Sequence, residues 1–275
     1  MEQQDYTSIP YPPAYYLNLK QGSEEWKKRR QDFAVTGSKI ADVLNLGAYG
    51  GNAKKLFKHK KANTEEKFST FQTEVIFAHG TKNEPVAAGH LETWLKEEYP
   101  DKDWTVAECG INVHKSKKNY YYGASPDRLI VNNDGTIAAI VEIKCPYKKV
   151  LHWNGFQGYL NFLKKTGCTP PLPLTDTRNI RIYTEYFLQM QMQMCTCKVE
   201  FGFFVGWTPK EMVIVRVDFN QEIWDLVEGK LDQFVDALNT NNDKNLIDKQ
   251  TSAKIEQKIN ECQDKHNKLV YFKEF

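Results

Sequence analysis

The feature that most constrains this chain is a turn signal set between two apolar runs. Leu129-Ile130-Val131 leads into Asn132-Asn133-Asp134-Gly135, and a run rich in β-branched residues follows from Ile137 to Ile143. Asn, Asp and Gly tolerate the positive φ of tight turns, so the pattern predicts a β-hairpin. Side chains alternate along a strand. Glu142 and Lys144 therefore share one face, and Ile143 points to the core. Just before the first strand stands Ser125-Pro126-Asp127. If the strands pair across the turn, Asp127 comes close to the strand end that carries Glu142. Two carboxylates brought together repel, and a hard divalent cation with oxygen ligands removes that repulsion. A lysine beside the cation suits a phosphate or an attacking water. The arrangement points to metal-assisted phosphodiester hydrolysis. Ser-Pro-Asp is also ordinary turn chemistry, so Asp127 gains its meaning from the Glu142-Ile143-Lys144 that follows.

Three further blocks stand in order around this hairpin. Upstream are Trp26-Lys27-Lys28-Arg29-Arg30 and Thr36-Gly37-Ser38, then Gly80-Thr81-Lys82-Asn83-Glu84-Pro85. Downstream is Tyr186-Phe187-Leu188-Gln189-Met190-Gln191. Together with Ser125-Pro126-Asp127 and Glu142-Ile143-Lys144-Cys145-Pro146, the set resembles the PD-(D/E)XK nuclease superfamily. Within it, the set is similar to the lambda-exonuclease or YqaJ-type viral recombinase branch. Each block alone is weak, and the ordered series from about residue 23 to 194 is specific.

The resemblance implies a restriction-endonuclease-like α/β (α+β) core: a central mixed sheet flanked by helices, with the site at one sheet edge. It implies a Mg²⁺-dependent deoxyribonuclease, with Mn²⁺ as a substitute, that resects duplex DNA from 5′ ends. Asp127, Glu142, the carbonyl of Ile143 and Glu84 would surround the metal. Lys144 would hold or polarise the attacking water. Gln189 would donate to a phosphate oxygen or position a water, with Tyr186 three residues away on the same helix face. Arg30 and Ser38, helped by Ser125, would bind a terminal 5′-phosphate, because a guanidinium fork and a hydroxyl suit that dianion. The Arg30-to-Ser38 gap is one residue longer than usual, which leaves Arg29 as an alternative. Lys148 and Lys149 are available as further basic contacts, although position 150 is a valine. Arg128 replaces the glycine that often follows the motif aspartate. By resemblance the partners are ends of double-stranded DNA, a single-strand annealing protein and further copies of the chain in a trimeric ring. The alternatives are an endonuclease with the same metal site and, from another class, a catalytically silent DNA-binding scaffold. Retention of Asp127, Glu142 and Lys144 argues against the scaffold.

Composition limits the rest. The 275 residues are 41% hydrophobic and 13% aromatic, enough to fill a core. Net charge is only +2, so DNA binding is not announced globally. The lysines do cluster locally: Lys54, Lys55, Lys58, Lys60 and Lys61, then Lys115, Lys117 and Lys118. No run of about 18 apolar residues exists, so no membrane span is expected. The six cysteines are scattered, with no signal peptide ahead of them, which predicts reduced thiols in an intracellular setting, cytoplasm or nucleus. Cys195-Thr196-Cys197 lacks a second ligand pair at metal-finger spacing.

Three segments are expected. Residues 1–22, with Pro10, Pro12 and Pro13, read as an amino-terminal arm. Residues 23–240 would form the nuclease domain, and 241–275 a charged helical tail on the periphery or against a partner. The helical region from Phe71 to Tyr99 is expected to break near Gly80 or Pro85, and Trp104 to Val113 reads as one strand.

Overall fold

The computed structural model describes residues 16–47, 50–64, 68–147 and 180–275. In chain order, β1 (Tyr16–Leu17) precedes α1 (Glu24–Gln31), α2 (Ile40–Val43), α3 (Ala53–Ala62) and α4 (Ala78–Glu98). Five strands follow: β2 (Thr105–Ala107), β3 (Ile111–Lys115), β4 (Tyr121–Ala124), β5 (Arg128–Val131) and β6 (Ile137–Lys144). Then come α5 (Thr184–Cys197), β7 (Phe201–Thr208), β8 (Glu211–Asp218), α6 (Gln221–Asn239), α7 (Lys249–His266) and β9 (Lys268–Glu274).

Local chemistry sets several boundaries. Ser23 caps α1 by accepting from Trp26 N at 3.2 Å, and Asn52, Asn220 and Asp248 cap α3, α6 and α7 in the same way. The hairpin forms where its turn residues predict. Gly135 takes φ of 82°, its N–H donates to Asn132 O, and β5 pairs antiparallel with β6.

One six-stranded sheet runs in the order β2-β5-β6-β7-β8-β9. Only β6 and β7 are parallel, and α5 lies in the connection between them. Alternation along the strands makes two cores. Ala139, Val141, Ile143, Phe203 and Val205 pack with Ala87, Leu91 and Trp94 of α4. On the other face Ile140 and Phe204 pack with Phe187 and Leu188 of α5, Leu231 of α6 and Ile255 of α7. Glu142 follows the parity of Ile140, so it faces α5. This is the mixed α/β sheet between helices that the sequence implies.

A second sheet, β1-β3-β4, brings the amino-terminal region to the site. A parallel bridge joins Thr36 to Gly123 of β4. A Cβ on Gly123 would stand 2.6 Å from the ring of Phe33, so only glycine allows this approach.

Three expectations change. α4 runs unbroken through Pro85. The segment read as one strand from Trp104 is two, β2 and β3, in different sheets. The carboxy-terminal segment is not purely helical. α7 buries Ile255 and Ile259, and β9 pairs antiparallel with β8. β8 is apolar on both faces, and β9 covers its otherwise open edge with buried Leu269 and Phe272. Among the described residues Cys109, Cys145, Cys195, Cys197 and Cys262 are free thiols, and no helix is long and apolar enough to cross a membrane.

Candidate active site

The hairpin register sets Arg128 opposite Val141, which places Asp127 beside the Glu142 end of β6. The Ile143 N–H donates to Asp127 Oδ2 at 2.7 Å and ties the two strand ends together. Glu142 is fully buried, and both of its oxygens are engaged. Oε1 accepts from Lys144 Nζ and, at 2.7 Å, from Gln189 Nε2. Oε2 accepts from Gln193 Nε2 at 2.7 Å. Gln189 and Gln193 stand four residues apart on α5, so one helix face presents both amides to one carboxylate.

The electrostatics divide sharply. Burial raises Asp127 well above the ordinary carboxylate range. The charge of Glu142 adds to that, Lys144 opposes it and Glu84 adds again. For Lys144, burial works against the ammonium, but the charges of Glu142 and Asp127 outweigh it and hold the amine protonated. Its Nζ also lies 5.1 Å from the ring centre of Tyr186, which stacks on Phe204.

These groups line a cavity of about 190 Å³ together with Arg30, Ser38 and Ser125. Trp26 and Arg30 share one face of α1, with the Arg30 Cζ 4.4 Å from the indole centre. Arg30 Nη2 donates to Ser38 Oγ at 2.9 Å, and Trp26 Nε1 donates to Ser125 Oγ at 3.2 Å. Burial lowers the Arg30 guanidinium from its ordinary value, and Glu142 offsets part of that. Its neighbour Arg29 instead pairs with Asp32 at 3.4 Å. The structure thus gathers Arg30, Ser38, Ser125, Asp127, Glu142, Lys144 and Gln189 around one hollow.

Glu84 has a different place. Arg128 Nη1 is 2.6 Å from Glu84 Oε1 and also donates to the Asp127 carbonyl at 2.5 Å. Among the described residues no group of three or more His, Cys, Asp or Glu side chains is placed to hold a metal ion. The expected third carboxylate is taken up by the arginine that stands where a glycine is usual. Gln189 lines the cavity and donates to Glu142. Lys148 and Lys149 lie outside the described residues.

The donors that remain suit a hard cation. Asp127 and Glu142 offer only oxygen, their charges oppose each other in a buried place, and Mg²⁺ keeps most of its waters and needs few carboxylates. The carbonyl of Ile143 belongs to the same strand end. Such a cation would supply charge neutralisation and an activated water.

Sequence reasoning missed Gln193, Trp26 as a hydrogen-bond donor, and Gln21, whose Nε2 donates to Pro126 O at 2.6 Å. Only the four-residue spacing of Gln189 and Gln193 could have signalled the first. A larger cavity of about 380 Å³ lies between β3, the end of α5 and α6. It holds Cys195, whose Sγ is 3.6 Å from Nδ1 of His114. Burial pushes that thiol up to about 12, so it rests protonated.

Comparison with known proteins sets this geometry in context. Residues 25–200 match the YqaJ-like viral recombinase domain. No curated protein sequence matches the chain. Among solved structures, an alkaline exonuclease, LHK-Exo, from Laribacter hongkongensis is 23% identical with a TM-score of 0.52. The match covers 85% of this chain and 100% of that one. The complex of LHK-Exo with dAMP matches to the same extent. At that identity the likeness is one of fold.

Proposed function

This chain belongs to the YqaJ-like viral recombinase family, and we propose that it is a divalent-cation-dependent deoxyribonuclease that shortens duplex DNA from 5′ ends. The observation that carries this reading is the gathering of Asp127, Glu142 and Lys144 in one cavity that Arg30, Ser38 and Ser125 also line. The first set suits a scissile phosphate and the second a terminal one.

Asp127, Glu142 and the Ile143 carbonyl would hold Mg²⁺, with Mn²⁺ as a substitute. Lys144 stays protonated, so it donates to water or phosphate oxygen and takes no proton. Gln189 donates to one oxygen of Glu142 and so orients that carboxylate. Glu84 anchors the guanidinium that grips the Asp127 carbonyl, and so acts on the site through Arg128. Arg30, stacked on Trp26, would receive the 5′-phosphate with Ser38 and Ser125. Tyr186 would stand beside the substrate under Lys144. Lys148 and Lys149 would add backbone contacts. The product would carry a 3′ overhang, the substrate class of a single-strand annealing protein, and a ring of chain copies would keep the enzyme on its duplex.

The test uses linear duplexes with and without a 5′-phosphate, and a covalently closed circle, each with Mg²⁺ and with EDTA. We expect Mg²⁺-dependent loss of the linear substrates, faster with the 5′-phosphate, and an intact circle. Cleavage of the circle would turn the reading to an endonuclease. Undiminished cleavage in EDTA would end the cation assignment.

A further inference from the structure

Gln193 is fully buried on α5, one turn beyond Gln189. Its Nε2 donates to Glu142 Oε2 at 2.7 Å and to the Ser125 carbonyl at 3.3 Å. Both partners only accept, which settles which way the amide faces. Turned over, its oxygen would oppose a carboxylate. That oxygen, Oε1, is shielded and has no hydrogen-bond donor among the described residues. Gln191, two residues earlier, is equally buried but uses both ends: Nε2 donates to Asp218 O at 3.0 Å, and Oε1 accepts from Asn220 N at 2.8 Å. One glutamine of this helix is finished by the fold, and the other is finished on one side only. A buried carbonyl oxygen left without a donor is unfavourable. Gln193 also lines the cavity, beside Glu142 and Asp127.

We propose that Gln193 is a positioning residue of the cation site. Its Nε2 holds Glu142 at a set distance from the loop Ser125-Pro126-Asp127. The amide thus joins the two elements that carry the acidic pair, β6 and the β4–β5 loop. It also joins them to Ser125, whose hydroxyl accepts from Trp26. The inference rests on the cation reading above and goes beyond it in assigning a residue that spans both carboxylate-bearing segments.

The experiment is calorimetric titration of Mn²⁺ into the metal-free protein, with no DNA present. Gln193→Met keeps length and apolar bulk while removing both amide atoms. We expect its Mn²⁺ dissociation constant to rise at least tenfold, with that of Gln191→Met unchanged. On duplex DNA, Gln193→Met should lower kcat while KM stays near the wild-type value. Should Gln193→Met not fold, Gln193→Asn draws the amide back by one carbon and carries the same expectation. A Gln193 variant that binds Mn²⁺ within twofold of the wild type overturns this inference and spares the cation reading. A wild-type protein that takes up no Mn²⁺ sinks both.

Discussion

Four acids of α6, Asp225, Glu228, Asp232 and Asp236, each have a donor from a neighbouring element, whereas in the cavity the charge of Glu142 bears against that of Asp127. Along α6, Lys117 pairs with Asp225 at 3.0 Å, His114 with Glu228 at 2.5 Å and Lys118 with Asp236 at 2.6 Å. The hydroxyl of Tyr122 donates to Asp232 at 2.6 Å, and that of Tyr120 to Asp236 at 2.5 Å. Every donor comes from β3, β4 or the turn between them, so this stripe docks the smaller sheet onto the helix. The pKa directions follow. The Lys117 bond holds Asp225 below its ordinary value. Burial pushes Asp236 up, but the Lys118 and Tyr120 bonds outweigh it and bring it below its ordinary value. Asp127 moves the opposite way, because burial and Glu142 both disfavour its charge. Paired acids hold the fold together. Crowded acids strain it, and the proposed cation would relieve that strain.

The largest expected effect separates these two roles. Asp127→Asn keeps the shape and can still accept from the Ile143 N–H, but it removes the crowding charge. Cleavage should fall roughly a thousandfold or more, the scale typical of losing a catalytic carboxylate. The metal-free protein should meanwhile gain about 1 kcal/mol of stability near pH 8. The sign follows from linkage. A carboxyl raised in the folded state favours folding below its ordinary value, and that contribution is lost as pH climbs through the raised one. Urea midpoints should therefore favour the variant at pH 8, with the advantage fading as pH falls to 5. Equal midpoints at pH 8 would break the contrast between crowded and paired acids.

The paired region gives the next effect. Asp232 is almost fully buried, and Asp232→Ala leaves the Tyr122 hydroxyl without its acceptor. The expected loss is about 1–3 kcal/mol. Removing both groups, with Tyr122→Phe added, should recover part of it, giving a coupling of about 1 kcal/mol in a double-mutant cycle. Turnover per folded molecule should stay at the wild-type level. A variant that is as stable as wild type but cleaves slowly would move Asp232 into the reaction and blur the division.

The same contrast explains what could be read in advance. Asp127, Glu142 and Lys144 were legible because a hairpin turn and the two-residue strand period place them together with no help from distant packing. Arg30 and Ser38 came from the pattern of a family, and the structure adds the reason for their approach: Gly123 lets Phe33 and its neighbours close on β4. Gln193 was hidden, since glutamine alternating with methionine reads as a core stripe. The acids of α6 were hidden for the opposite reason, because charged residues on an amphipathic helix read as a solvated face until β3 and β4 cover them. Glu84 depended on one substitution, Arg128, whose reach across to α4 is a tertiary fact. β9 was lost because its residues read as the end of a charged helical tail, and its strand character depends on the open edge of β8.

The smallest effect concerns a lysine whose charge is set by burial beside Arg30. Lys60 donates to the Phe33 carbonyl at 2.6 Å. Burial, and then Arg30, lower it to about 8, with Asp32 opposing. Below pH 8 it is an ammonium close enough to feel Arg30, and above pH 8 it is a neutral amine. A bound 5′-phosphate favours the ammonium, so its affinity should drop as pH rises through that value. For screened charges roughly 10 Å apart the interaction is on the order of 0.5 kcal/mol, or about twofold in affinity. The preference for 5′-phosphorylated over 5′-hydroxyl duplex should thus fall about twofold between pH 7 and 9. Lys60→Gln should lower the preference at pH 7 and flatten the profile. The ratio of the two substrates cancels any pH effect common to both, including one on the acidic pair. An unchanged slope in Lys60→Gln would place the titrating group elsewhere and leave Arg30 as the cation that matters at the 5′ end.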